Sequence, residues 1–204
     1  GAGGALSGLH LQTENGRSLA TDFRGDEQVA SRRWRTSLHE AGHSVAGRVL
    51  LNRVVKAVVY EADVGAAYLE LEAAVPRTFQ EVLMIAAGPA AETLIDGHAP
   101  PLESPPPPLT EAYPEEAAPL VSQLRQSPSD AVRIAQWCVR GIECQPERWA
   151  KRFYWIHREA DLFVARYQRE IVEVAAGLYQ RGIVTLEAEV AACPASGEVP
   201  PPRR

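Results

Sequence analysis

Residues 38–47 read LHEAGHSVAG, which sets His39 and His43 four positions apart with Glu40 directly after the first. On a helix, positions i and i+4 share a face, so both imidazoles can offer a nitrogen to one ion at about 2.0–2.1 Å. Glu40 lies one position round and need not ligate. Its carboxylate can instead take a proton from a water polarised by the ion, the division of labour that H-E-x-x-H supplies in zinc enzymes. The competing interpretation is a solvated His39–Glu40 face with His43 a half-buried, satisfied histidine. Gly42 sits inside the same helix-forming run, where glycine costs about 1 kcal/mol relative to alanine, and so marks a place where another backbone or side chain comes close.

A catalytic zinc usually takes three protein ligands, so a third must come from elsewhere in the chain. By residue type the candidates are His98, His157, Asp161, Glu92, Asp130 and the acids of a proline-rich stretch. Asp130, in SPSDAVRIAQW, lies in the first turn of an expected helix and can be held rigidly. A cap role competes there: Ser127 as N-cap, Pro128 at the first helical position and Asp130 at the third form a capping-box arrangement, and local pattern alone favours the cap.

Helical and extended periodicities supply the elements that would hold these groups. From about Asp26 to Leu51, Val29, Trp34, Leu38, Ala41, Val45 and Val49 recur at helical steps and predict one amphipathic helix with HEAGH at its middle. Segments 54–61 and 66–72 are β-branched or alternating and predict a hairpin or small ribbon around Asp63, Val64 and Gly65. A second helix follows Pro76, with a kink expected near Ala87 because Gly88 and Pro89 interrupt it. Residues 99–119, APPLESPPPPLTEAYPEEAAP, predict a long polyproline-type loop, which could also serve as a ligand for SH3-like or WW-like partners. A third helix is expected from Ser127, a long fourth from Glu147 to Gln180 closed by Gly182, and a short last helix from Thr185. Residues 1–26 predict a flexible arm, 27–193 one domain and 194–204 a disordered tail.

The 204 residues, 46% hydrophobic and 23% charged, suit one domain with a sizeable core. A net charge of −5 and the absence of any basic cluster argue against nucleic acid as a partner. No apolar run is long enough to span a bilayer and no secretory pattern opens the chain, so neither insertion nor export is expected. Cys138, Cys144 and Cys193 lack metal-type spacing and read as reduced thiols of a cytoplasmic protein.

Taken in order, HEAGH, a strand pair, AAGPAAETLIDG, SPSDAVRIAQW, a long helix and TLEAEV resemble the peptidase domain of the FtsH-type AAA zinc metalloproteases from about Ser37 to Val190. The family's G-G-x-A-A-E signature is matched by Gly88, Ala90, Ala91 and Glu92, with Ala87 at the first glycine and Pro89 at the variable position. Its third ligand, an aspartate in a S-N-D segment that opens a helix, corresponds to Asp130, with Ser129 where the asparagine would stand. The resemblance implies a mainly α (α+β), helical zincin-like fold with a small β-ribbon, and Zn2+ held by His39, His43 and Asp130 with Glu40 as catalytic base. It leaves His98 and His157 as ordinary residues.

The resemblance further implies a zinc-dependent metalloendopeptidase acting on unfolded or flexible polypeptide substrates, which would pair with an edge strand of the 54–72 ribbon. The family's G-x-x-x-x-G-K-[ST] phosphate loop and membrane anchors do not occur in these residues, so ATP-driven unfolding is not expected of this chain. It could form a homo-oligomer or associate with an AAA ATPase module. The alternative is a catalytically silent, zinc-stabilised scaffold or adaptor with the same fold.

Overall fold

The computed structural model describes residues 19–61, 63–68, 76–95, 114–142 and 144–188. Its elements in chain order are α1 (Leu19–Leu51), β1 (Val55–Glu61), β2 (Val64–Tyr68), α2 (Phe79–Ile95), α3 (Pro114–Gln126), α4 (Asp130–Val139), α5 (Pro146–Arg181) and β3 (Ile183–Leu186). The fold is therefore mainly α with one small antiparallel sheet, in the order β2-β1-β3. His98, Cys193 and the 194–204 tail lie outside the described residues, as does the proline-rich stretch up to residue 113.

The apolar stripe of α1 does what its periodicity predicts from Trp34 on, with Trp34, Leu38, Ala41 and Val45 buried against α2, α5 and the sheet, whereas Val29, at the start of the expected stripe, is exposed. The helix starts at Leu19, ahead of the expected Asp26, so the predicted arm gives up its last residues to α1. In α2 the expected kink at Ala87 does not interrupt the element, which runs through Gly88 and Pro89 to Ile95. A proline inside a helix costs about 3 kcal/mol. Val82 and Ile85 are fully buried on that helix, and each such side chain returns about 1.5–3 kcal/mol, so packing outweighs the missing donor.

α1 and α2 approach closely at Gly42, as its position inside a helix suggests. A Cβ there would lie 2.5 Å from the Ala87 carbonyl oxygen and 2.9 Å from the Ala91 methyl. Gly42→Ala gains about 1 kcal/mol of helix propensity. Overpacking against a backbone atom that cannot move aside costs about 1–3 kcal/mol, so the expected outcome is a net loss of stability, read as a lowered denaturation midpoint.

Two further elements differ from expectation. Residues 114–126, assigned in part to the proline loop, form α3; Pro114 opens it where a missing N–H costs no helical bond, and Val121 and Leu124 pack against Val58, Tyr60 and Val64 of the sheet. Thr185 and Leu186, where the last helix was expected to begin, belong instead to strand β3, whose Ile183, Val184, Thr185 and Leu186 pair with Val58, Ala57, Lys56 and Val55; positions from 189 on lie outside the described residues. Gly182, at φ 75°, makes the turn from α5 into β3, its N–H donating to Leu178 O at 2.8 Å. The sheet thus lies between α1, which covers Ala57 and Val59, and α3, which covers Val58 and Tyr60.

Candidate metal centre

Three ring and carboxylate atoms converge between α1 and the start of α4. Asp130 Oδ2 lies 3.0 Å from His39 Nε2 and 3.0 Å from His43 Nε2, and the two Nε2 atoms are 3.1 Å apart. Tetrahedral coordination at about 2.0–2.1 Å separates neighbouring ligand atoms by roughly 3.3 Å, so this spacing fits one small divalent cation with little adjustment. Among the described residues, His39, His43 and Asp130 are the group whose donor atoms meet in this way.

Each imidazole is fixed through its other nitrogen. His43 Nδ1 donates to the Met84 carbonyl at 3.0 Å, which leaves its Nε2 lone pair aimed at the triad. His39 Nδ1 lies 3.2 Å from Glu92 Oε2 and donates to it. Glu92, one of the sequence candidates for third ligand, therefore orients the His39 ring rather than joining the cluster. Losing such a partner typically weakens metal affinity by about 10–100-fold. Glu92→Gln is expected to fall in that range when titrated against a chelator, with circular dichroism unchanged.

Asp130 does not cap its helix through its side chain. The N-cap is Ser129, without a side-chain cap bond, and Asp130 is the first helical residue. Its carboxylate faces the histidines and lies 3.8 Å from Arg133 Nη1. The expected Ser127–Pro128–Asp130 capping box is thus replaced by a helix start two residues later. Two further candidates lie elsewhere: His157 is on α5 with its ring against Phe153, and Asp161 is exposed on the same helix.

Charge in the cluster is strongly biased. For Asp130, burial opposes ionisation, but His43 and the bonds from both histidines outweigh it and hold the carboxyl well below the usual range. For His39, burial disfavours the cation, yet Asp130 and Glu92 prevail and push it up to about 10. Glu40 is buried at 6% exposure, and that burial raises its pKa against the opposing pull of His43, His39 and the Ala67 N–H. A buried carboxylate with its proton affinity raised, beside the His39–His43–Asp130 cluster, is suited to taking up and giving back a proton.

No protein-family model matches this chain, and comparison with curated proteins and with solved structures gives no match.

The site has supports that residue spacing alone does not reveal. Gly65 of β2 gives Glu40 its room, since a Cβ there would lie 2.6 Å from Glu40 Cγ, and a Cβ on Gly88 would run into the His43 ring. In the sequence Gly65 looks like a turn residue; its place inside an alternating strand is the available signal of close approach. The cluster opens into a cleft bounded by α1, β2, the end of α3 and the start of α4. β2 is an edge strand, and its Tyr68, hydroxyl-bonded to Tyr60 at 2.5 Å, stands on the cleft wall. Among the described residues no helix is long and apolar enough to cross a membrane.

Proposed function

We propose that the chain is a zinc-dependent metalloendopeptidase of the FtsH-like kind, cleaving unfolded or flexible polypeptides without an ATPase in the described fold. The observation that carries this reading is the convergence of His39 Nε2, His43 Nε2 and Asp130 Oδ2 at 3.0–3.1 Å, with buried Glu40 alongside in an open cleft. Two imidazoles and a carboxylate are a donor set of zinc hydrolases, in which a coordination position stays open. When bound, the metal would polarise both a water and the scissile carbonyl.

The chain's own residues account for the remaining chemistry. Glu40 accepts the proton of the attacking water and returns it to the leaving amine, and its raised proton affinity serves both transfers. Ala67 holds that carboxylate through its backbone N–H, which ties the base to the edge strand. β2 offers an extended substrate main-chain partners along the same edge, so peptide and base would share one support.

The experiment is a metal assay joined to a cleavage assay. Purified protein should hold about one zinc per chain and degrade an unfolded substrate without ATP; a chelator should stop cleavage and added zinc restore it. Protein that retains no stoichiometric zinc at neutral pH would refute the proposal.

A further inference from the structure

The two carboxylate oxygens of Asp130 have different neighbours. Oδ2 lies 3.0 Å from both histidine Nε2 atoms, whereas Oδ1 has Arg133 Nη1 at 3.8 Å. Arg133 stands three residues further along α4, on the same face, so the helix itself sets the guanidinium beside that oxygen. Both side chains are sheltered on the cleft wall, at 26% and 19% exposure. The separation is too long for a hydrogen bond, so the contact acts through charge.

A carboxylate can give a cation one oxygen or both, and the difference decides what else the ion can hold. A hydrolytic centre needs its fourth position open to water or substrate, and a second oxygen from Asp130 would fill it. For Oδ1 to join the ion, the carboxylate must give up its attraction to the guanidinium. Arg133 also differs in sign from the partner behind His39. Glu92 sets a negative charge behind one ligand and strengthens it as a donor, while Arg133 sets a positive charge behind another and weakens it. Loss of the two partners should therefore move cation affinity in opposite directions.

We propose that Arg133 is a positioning residue of the metal centre, one that keeps Asp130 to a single ligating oxygen, Oδ2, and so leaves the fourth coordination position free for the reacting groups. This rests on the metallopeptidase reading and adds the residue that holds its site open. Because the contact works through charge, lysine at 133 should serve nearly as well as arginine, and glutamine should not.

The full chain is loaded with cobalt(II), whose visible absorption separates four-coordinate from five-coordinate centres, and zinc affinity and cleavage are measured on matched samples. Wild type should give the intense bands of a four-coordinate centre, and Arg133→Gln the weaker bands of a five-coordinate one. In the same variant zinc affinity should rise about two- to fivefold, the worth of one exposed charge pair. Its kcat on an unfolded substrate should fall about tenfold at constant KM. Arg133→Lys should keep the wild-type spectrum and most of the turnover. A cobalt spectrum unchanged in Arg133→Gln, zinc affinity that falls as it should in Glu92→Gln, or a raised KM at constant kcat, which would place Arg133 on the substrate, would each overturn the proposal. A spectrum that responds to Arg133→Gln in a protein that cleaves nothing would remove the peptidase reading and leave the coordination role standing; cleavage without that spectral response would do the reverse. Protein that binds neither ion would remove both.

Discussion

Glu40→Gln should lower turnover of an unfolded substrate by about 10²–10⁴-fold while leaving the metal content of the protein unchanged. Glutamine keeps the shape and an oxygen to accept the Ala67 N–H, so the β2 contact survives, but it cannot take up the proton of the attacking water. Stability works in the same direction. Burial raises the Glu40 pKa, so the folded state binds that proton more tightly than the unfolded chain does. The sign follows: Glu40 costs stability as pH rises above its unfolded value, and an amide removes that cost at neutral pH. The variant is therefore expected to melt no lower than wild type. Equal cleavage by variant and wild type would exclude Glu40 as base, and a silent wild type with bound zinc would point to a scaffold.

The parts of this fold legible in the sequence are those set by local periodicity. His39 and His43 could be placed on one helix face because four residues nearly complete a turn, and the α1 and α5 stripes follow from the same spacing. Gly42 was legible as a close approach because glycine is costly inside a helix and needs a reason. β3 was not, because four β-branched or apolar residues become a strand only by pairing with β1, more than a hundred positions earlier. α3 was hidden by its two prolines, although Val121 and Leu124 sit at helical spacing over the sheet.

The site divides in the same way. Local pattern assigned Asp130 to a cap, and only the resemblance to a family ordered it as a ligand; in the fold its carboxylate turns toward the histidines because the start of α4 lies against α1 and α2. Glu92 looked like a ligand by type and is an orienting partner by geometry.

Asp130→Ala should weaken zinc binding by more than the roughly 10–100-fold expected from loss of an outer partner such as Glu92, because it removes one of the three proposed ligands. It should also change how binding depends on pH. In the metal-free protein Asp130 and Glu92 overcome burial and raise His39 to about 10, so at neutral pH His39 carries a proton that the metal must displace. For wild type, apparent affinity should rise by about tenfold per pH unit between roughly 7 and 9, with one proton released per ion. The stability of the metal-free protein runs the opposite way. A histidine whose folded pKa lies above its unfolded value contributes stability fully present below about 6.5 and lost as pH rises through about 10, so the midpoint of metal-free wild type should fall across that window. Without Asp130 the larger of the two carboxylate bonds to His39 is gone, its pKa drops, and both slopes flatten. Chelator competition and thermal melts at several pH values measure the two slopes on the same samples. Steep slopes that persist in Asp130→Ala would show that His39 is not held by Asp130.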